Sequence, residues 1–527
     1  MKYLTLKLVL LLLTCNLVSA DVTLPNLFSD HMVLQRDQVD PIWGKADPGE
    51  KVTVSFNGQS KETEADADGD WRVELEPMAA GGPFEMVIQG NNEVVLKDIL
   101  IGEVWVCSGQ SNMQWIVNNT NNKEVEVLSA NYPEIRLLSL PRVGTQEPQD
   151  NIDATWEVCS PETVGNFSAV GYFFGRRIHQ TLDVPVGLIH NAWGGSSAEA
   201  WVPRELLEQD EQFASYIANH DQKAAEYTDE IHQEKIAEYQ EELARYKANG
   251  ESGRHPRWPS DPRYNQHRPG NIYNGGVLPL VGYGIRGMIW YQGESNSGRY
   301  ETYEDLINLM VGNFREQWDQ GDFPFYYVQL ADFSNEQDAP SEGGWPLIRE
   351  AQTKTMDSLE NSGMAVIIDI GEGRDIHPRN KQDVANRLAR WALANDYGYD
   401  IAYRSPQYAS MEVVELEQPE VEDADSETDP SDSVAPVKPK AIEVTFDHIS
   451  QGLYSFDTQE VVGFAIAGED KQFVWADAEI IGKDKVRVWS ESVAEPVAVR
   501  YGWAMNPVVN LQDRNGLPVT PFRTDEW

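Results

Sequence analysis

The chain predicts an α/β fold: a parallel central sheet, flanked along the sequence by β-rich regions. Three observations carry that expectation. Compact apolar runs alternate with helix-period segments between about residues 101 and 410. Short alternating strands with turn signals fill residues 21–100. Residues 441–527 return to β character. Hydrophobic residues make up 41% of the 527 and aromatics 10%, which is enough for a core and excludes wholesale disorder.

The first twenty residues read as a processing signal. Lys2 and Lys7 lead into an apolar run at 8–13, and Val18, Ser19 and Ala20 form a small-residue cleavage site. The run is too short to cross a bilayer. The expectation is a secreted or periplasmic protein cleaved after Ala20, with no membrane span. Cleavage removes Cys15 and leaves Cys107 and Cys159 of the three cysteines, which excludes a disulfide scaffold. These two either pair or stay as buried thiols.

Residues 21–100 should form a β-sandwich-like domain. "KVTVSF", "WRVELEP", "FEMVIQG" and "EVVLKDI" are strand runs separated by turns such as Asn57-Gly58. "DADGD" at 66–70 resembles the opening of a calcium loop but lacks the closing Glu, so it reads as a hairpin turn. From 101 to 410, "GEVWVCS", "EIRLLSL", "VPVGLIH", "GIRGMIWY", "FPFYYVQL" and "MAVIIDI" suit strands buried on both faces. Helical stretches at 169–181, 303–318, 347–359 and 381–395 separate several of them, which predicts right-handed crossovers. Residues 204–250 form a charged helical excursion whose narrow apolar stripe includes Tyr227, Ile231, Tyr239 and Leu243. Residues 411–440 are acidic, bear Pro and read as a disordered insertion.

Acidic residues number 85 against 42 basic ones, a formal charge of −43. That balance argues against nucleic acid, whose phosphates need compensating Lys and Arg. Chemistry is then sought beyond the carboxyl ends of the strands, where open α/β sheets bind ligands. After "EVWVCS" comes Gly109-Gln110-Ser111-Asn112-Met113, half of a nucleophile elbow, with Met113 in place of the second glycine. Three more strand ends follow: Asn191 to Ser196 with Trp193, Gly194 and Gly195; Tyr291 to Asn296 with Gln292 and Glu294; and Gly371 to His377. A serine, glycine or amide donors and an Asp/His pair are the parts of an acyl-transfer site. His190, also at a strand end, is the rival base. His377 is preferred because a carboxylate lies beside it.

Several ordered blocks carry a resemblance. "GEVWVCSGQSNMQW", "FSAVGYFFGR", "VPVGLIHNAWGGSSAEAW", "IRGMIWYQGESN" and "DIHPRNKQDVANRLARWA" resemble the sialate O-acetylesterase family of SGNH hydrolases. The opening "LPNLFSDHMVLQRD" and the terminal "VAVRYGWAMNPVVNLQDRNG" are similar to the same family. The resemblance implies a three-layer α/β/α esterase domain, flanked by β-rich regions, that removes O-acetyl groups from sugars without metal or cofactor. It implies Ser111 as nucleophile and His377 as general base. For the oxyanion hole it implies the Ser111 N–H, Gly194 or Gly195, and Gln292 or Asn296, with Gln292 favoured. Asp375 is the implied partner of His377, although the superfamily spacing puts Asp three residues before His, where Arg374 stands; Asp369 is the fallback. Gln110, Asn112, Trp115, Trp193, Tyr291 and Glu294 are candidates for sugar contacts.

The expected substrate is an O-acetylated sugar, above all O-acetylated sialic acid. A sialate carboxylate calls for an arginine, and Arg299, Arg374 and Arg379 lie near the motif loops. The alternatives are an acetylxylan or other polysaccharide O-acetylesterase and a non-catalytic carbohydrate-binding protein. The Ser/Asp/His set speaks against the last.

Overall fold

The unbroken apolar runs become the inner strands of a parallel sheet, because a strand covered on both faces has no place for polar alternation. The structure, a computed structural model, describes residues 21–416 apart from 338, 341 and 342, and residues 440–527. Its central sheet contains β1 (Glu93–Gly109), β2 (Tyr132–Ser139), β3 (Val186–Ala192), β4 (Gly287–Tyr291), β5 (Phe325–Val328) and β6 (Ser362–Ala365). Their order is β6-β5-β4-β1-β3-β2, and all the pairings among them are parallel. The strand Glu157–Cys159 adds antiparallel to β2 at the edge.

The chain therefore winds outward from β1, first to β2 and β3 on one side and then to β4, β5 and β6 on the other. Such a reversal opens a crevice at the carboxyl end of the central strand. The residues after β1 sit there.

Helices pack along the sheet. They include α1 (Ser111–Gln114), α2 (Ala169–Leu182), α3 (Tyr303–Trp318), α4 (Gly344–Ser358) and α5 (Lys381–Asn395). Ser168 caps α2 by accepting from the Gly171 N–H, and Asn380 caps α5 by accepting from the Asp383 N–H. The helical excursion resolves into Arg204–Leu207, Ala214–Glu226 and Asp229–Ala248, the last with no buried residue. Among the described residues, no helix is long and apolar enough to cross a membrane.

Three boundaries differ from those expected. Residue 100 falls inside β1, whose first half pairs with the N-terminal strands Gly81–Gln89 and Val33–Gln35. One seventeen-residue strand thus belongs to both sheets. "MAVIIDI" is strand only to Ala365: the Arg387 guanidinium takes the Val366 carbonyl, and Gln352 Oε1 takes the Leu330 N–H as the neighbouring chain leaves β5. At the acidic insertion, Gln407–Glu415 pairs antiparallel with Lys440–Asp447. Residues 411–415 and 440 are therefore ordered in the ladder, with Met411 opposite Val444, Val413 opposite Ile442 and Val414 opposite Ala441. Residues 1–20 and 417–439, expected to be a signal and a disordered segment, lie outside the described residues.

The C-terminal β sheets are tied to the α/β domain by Arg349 of α4. Its buried guanidinium donates to the carbonyls of Gly502, Ala504 and Met505. Cys107 and Cys159 are separate buried thiols; burial pushes Cys159 up to about 12.

Candidate active site

Ser111 stands where β1 leaves the sheet. Gly109 has φ +134°, and a Cβ on it would lie 2.2 Å from the Tyr291 carbonyl oxygen. Only glycine permits this approach of β1 to β4. The Gln110 N–H donates to the same oxygen at 2.9 Å, and the chain then closes the single turn α1. Ser111 is its first residue, so its N–H has no acceptor within the helix. Met113 is fully buried, and its carbonyl accepts from Ser168 Oγ at 2.7 Å.

His377 comes from the loop after β6. Its Nε2 lies 2.8 Å from Ser111 Oγ. The Trp115 ring stacks on the imidazole with centroids 5.0 Å apart and planes 12° from parallel. Asp375 Oδ1 accepts the His377 backbone N–H at 3.0 Å and faces Nδ1 at 3.7 Å, too long for a hydrogen bond to the ring. Burial, reinforced by the Lys381 ammonium, holds the imidazole below its ordinary value, with Asp375 opposing. The fallback, Asp369, is unavailable: Arg387 grips its carboxylate at 2.6 and 2.7 Å. The rival base, His190, lies against the Phe167 ring within β3, and burial lowers it to about 4.

On the other side of Ser111, a Cβ placed on Gly194 would sit 3.4 Å from Ser111 Cβ. Gly194 thus lies beside Ser111, and its N–H donates to Gln114 Oε1 at 2.6 Å. Gly195 turns away at φ +72°, its carbonyl accepting from Ser295 Oγ. Of the two glycines expected, Gly194 is the one beside Ser111.

The amide expected from the third block is not presented to Ser111. Gln292 is fully buried; its Nε2 donates to Ser196 O and Asn296 Oδ1, and its Oε1 accepts from the Tyr303 hydroxyl. Asn296 is fully buried as well, with Nδ2 donating to Glu199 and Oδ1 also accepting the Ala198 N–H. Both amides hold the loop after Gly195 in shape. The favoured oxyanion role of Gln292 is corrected on this ground, because both of its N–H groups already have acceptors.

Other expected contact residues divide in the same way. Tyr291 is 1% exposed and Gln110 2%, so neither offers a sugar a surface. Trp193 is half-buried and keeps part of its ring exposed, whereas Trp115 already has His377 on one face. Asn112 is a crosslink: Nδ2 donates to Glu294 Oε1 at 2.6 Å and to the Ile376 carbonyl at 2.9 Å, and Oδ1 accepts from Lys381 Nζ at 2.5 Å.

Gln114 and Lys381 were not anticipated. The first lies one helical turn after Ser111; the second lies four residues after His377, across non-helical chain, and opens the next helix. No group of three or more His, Cys, Asp or Glu side chains suited to a metal ion occurs among the described residues.

A hydroxyl and an imidazole paired at the carboxyl edge of a parallel sheet, beside a glycine N–H, is the arrangement of an ester hydrolase. The family model for carbohydrate esterase, sialic acid-specific acetylesterase, matches residues 101–246 and 277–390. The sialate O-acetylesterase of Mus musculus is 32% identical over 433 residues, 73% of this chain and 75% of that one. The Homo sapiens enzyme of the same name is 32% identical over 430 residues, 73% of each chain. A crystal structure of a carbohydrate acetylesterase from Xanthomonas citri is similar at 33% identity and TM-score 0.77, over 96% of this chain and all of that one. The chain belongs to the sialic acid-specific acetylesterase family of carbohydrate esterases, and it is a carboxylic ester hydrolase.

Proposed function

We propose that the chain hydrolyses O-acetyl groups of sugars, with O-acetylated sialic acid as its substrate, through an acetyl-enzyme on Ser111. The observation that carries this reading is the 2.8 Å contact between His377 Nε2 and Ser111 Oγ. His377 accepts the hydroxyl proton as Ser111 Oγ attacks the acetyl carbonyl. The oxyanion is held by the N–H groups of Ser111 and Gly194, each worth roughly 2.7–4 kcal/mol. For Gly194 to serve, the Gln114 amide oxygen must first give up its N–H. His377 then returns the proton to the departing sugar oxygen, and water, activated by the same imidazole, releases acetate.

The arginines bear on the sialate reading. Arg299 is paired with Glu199 and Arg379 with Glu372. Arg374, exposed on the histidine hairpin, makes no ion pair among the described residues. It is the one of the three left to meet a substrate carboxylate. The amino-terminal pattern of Lys2, Lys7 and the short apolar run supports export with cleavage after Ala20.

The test is acetate release from O-acetylated sialic acid and acetylxylan in parallel, with wild type, Ser111→Ala and Arg374→Ala. The reading expects sialate turnover that depends on Ser111, and a KM for sialate alone that rises in Arg374→Ala. Preference for acetylxylan would replace the substrate. An active Ser111→Ala would remove the mechanism.

A further inference from the structure

A buried cation lies beneath the catalytic pair. Lys381 is fully buried at the first position of the fifteen-residue helix α5, where the helix dipole already presents positive charge. Burial and dipole both oppose an ammonium there. An ordinary lysine at that position extends into solvent. This one turns inward, donates to Asn112 Oδ1 at 2.5 Å and lies 5.2 Å from the Tyr291 ring centroid and 6.0 Å from that of Trp115.

Asn112 has one orientation available. Its oxygen must meet the ammonium, so its two N–H groups reach Glu294 Oε1 and the Ile376 carbonyl. Asn112 follows the nucleophile in the chain, and Ile376 precedes the base. One side chain thus spans the two catalytic loops, and Lys381 fixes which way it faces. Glu294 shares the same amide; burial raises its carboxyl above the ordinary value, and its Oε2 is buried with no hydrogen-bond partner among the described residues.

We propose that Lys381 is a positioning residue for the ester hydrolysis: through Asn112 it holds Ser111 and His377 in reaction register, and through its charge it acts on His377. This rests on the assignment of Ser111 and His377 above. The charged groups around the pair come from three elements: Glu372 and Asp375 on the histidine hairpin, Glu294 after β4, and Lys381 on α5. Burial first, and then the cation beside the imidazole, disfavour the imidazolium and keep His377 ready to accept a proton. Asp375 opposes that effect from an exposed position, and burial presses Lys381 itself down to about 7.

The experiment is the pH profile of 4-nitrophenyl acetate hydrolysis by wild type, Lys381→Met, Lys381→Gln and Ser111→Ala. In Lys381→Met, kcat should fall on the order of tenfold to a hundredfold with KM little changed, as a small misplacement of reacting groups does. The acid limb of kcat/KM should move up by about half a unit or more, because a like charge beside His377 is gone. Lys381→Gln restores a donor to Asn112 without the charge, so it should recover part of kcat while keeping the shifted limb. Both variants staying within about threefold of wild type in kcat, with an unmoved limb, would overturn the proposal.

Should neither variant fold, wild type supplies the remaining arm. Its acid limb is expected below the ordinary imidazole value of about 6.5, and a limb at or above that value overturns the proposal. Ser111→Ala keeps the two questions apart. If it stays active, the assignment of the nucleophile fails. If it is inactive while the Lys381 variants behave as wild type, only the role of Lys381 fails.

Discussion

The serine turn after β1 and the histidine hairpin after β6 meet at a 2.8 Å contact but are built in different ways. The turn is held by backbone: Gly109 lies in the ladder of β1 between β3 and β4, its carbonyl accepts the Trp193 N–H, and Gln110 bonds back to Tyr291. The hairpin lies beyond the sheet, where Arg374 and Asp375 are exposed. It is held at a few points: Gly371 N–H on Asp332, Ser334 N–H on the Gly373 carbonyl, Ile376 on Asn112 and the His377 ring on Trp115. One half of the pair is as rigid as the sheet. The other is aligned by side chains, so its function should respond in degrees to substitution and pH.

The largest break in that comparison is Ser111→Ala. It removes an atom and leaves the ladder intact, so acetate release should fall by at least about a thousandfold with an unchanged melting temperature. Gly109→Ala attacks the ladder instead. A methyl group 2.2 Å from the Tyr291 oxygen, on a residue at φ +134°, must push β1 and β4 apart. Loss of more than about 3 kcal/mol in urea unfolding is expected, and full stability would show that the turn is less fixed than its hydrogen bonds indicate.

Trp115→Ala acts on the hairpin through the stacked imidazole. Without its stacking partner the imidazole gains freedom, and kcat should drop on the order of tenfold while stability changes by about 1 kcal/mol or less. Trp115→Phe should recover much of the rate. Equal rates for wild type and Trp115→Ala would mean that Asn112 and the backbone suffice to aim His377.

The same contrast explains what the sequence disclosed. Ser111 was legible because a glycine-bearing turn directly after a buried strand leaves few places for a hydroxyl to go. The helices near 303–318 and 381–395 were legible from apolar period alone; the Asn380 cap emerged only with the fold. Gln292 was misread because an amide after a strand looks available. Only the fold shows Tyr303, eleven residues on, and Asn296 taking both ends of it. Lys381 passed unnoticed because charge at a helix start normally means solvent, and its burial follows from the seating of the first residue of α5 against Asn112, Trp115 and Tyr291. The β1 boundary was missed for a related reason: nothing in "EVVLKDILIGEVWVCSG" marks where one sheet's partner gives way to the other's.

The smallest effect on rate is expected at the two aspartates, which also makes them the sharpest comparison. Asp375 touches the hairpin's backbone firmly and the imidazole loosely, at 3.0 Å and 3.7 Å, and its side chain is 56% exposed. A charge so placed is screened by water and salt. Asp375→Asn retains an acceptor for the His377 N–H, so kcat should fall by only about threefold to tenfold, far less than the ten-thousandfold seen where such a carboxylate is buried against the ring. The effect should shrink further at high ionic strength. Asp369→Asn should reverse the pattern. Its carboxylate faces Arg387 with both partners nearly inaccessible, and neutralising it strands a buried guanidinium at a cost of about 3–5 kcal/mol. Rate per folded molecule should hold while the unfolding midpoint drops. Parallel kcat and urea measurements on the two variants decide the matter: a crippled rate in Asp369→Asn at full stability would transfer the partner's role to Asp369, and a loss of a thousandfold or so in Asp375→Asn would mean that the hairpin closes on substrate until the 3.7 Å gap becomes a hydrogen bond.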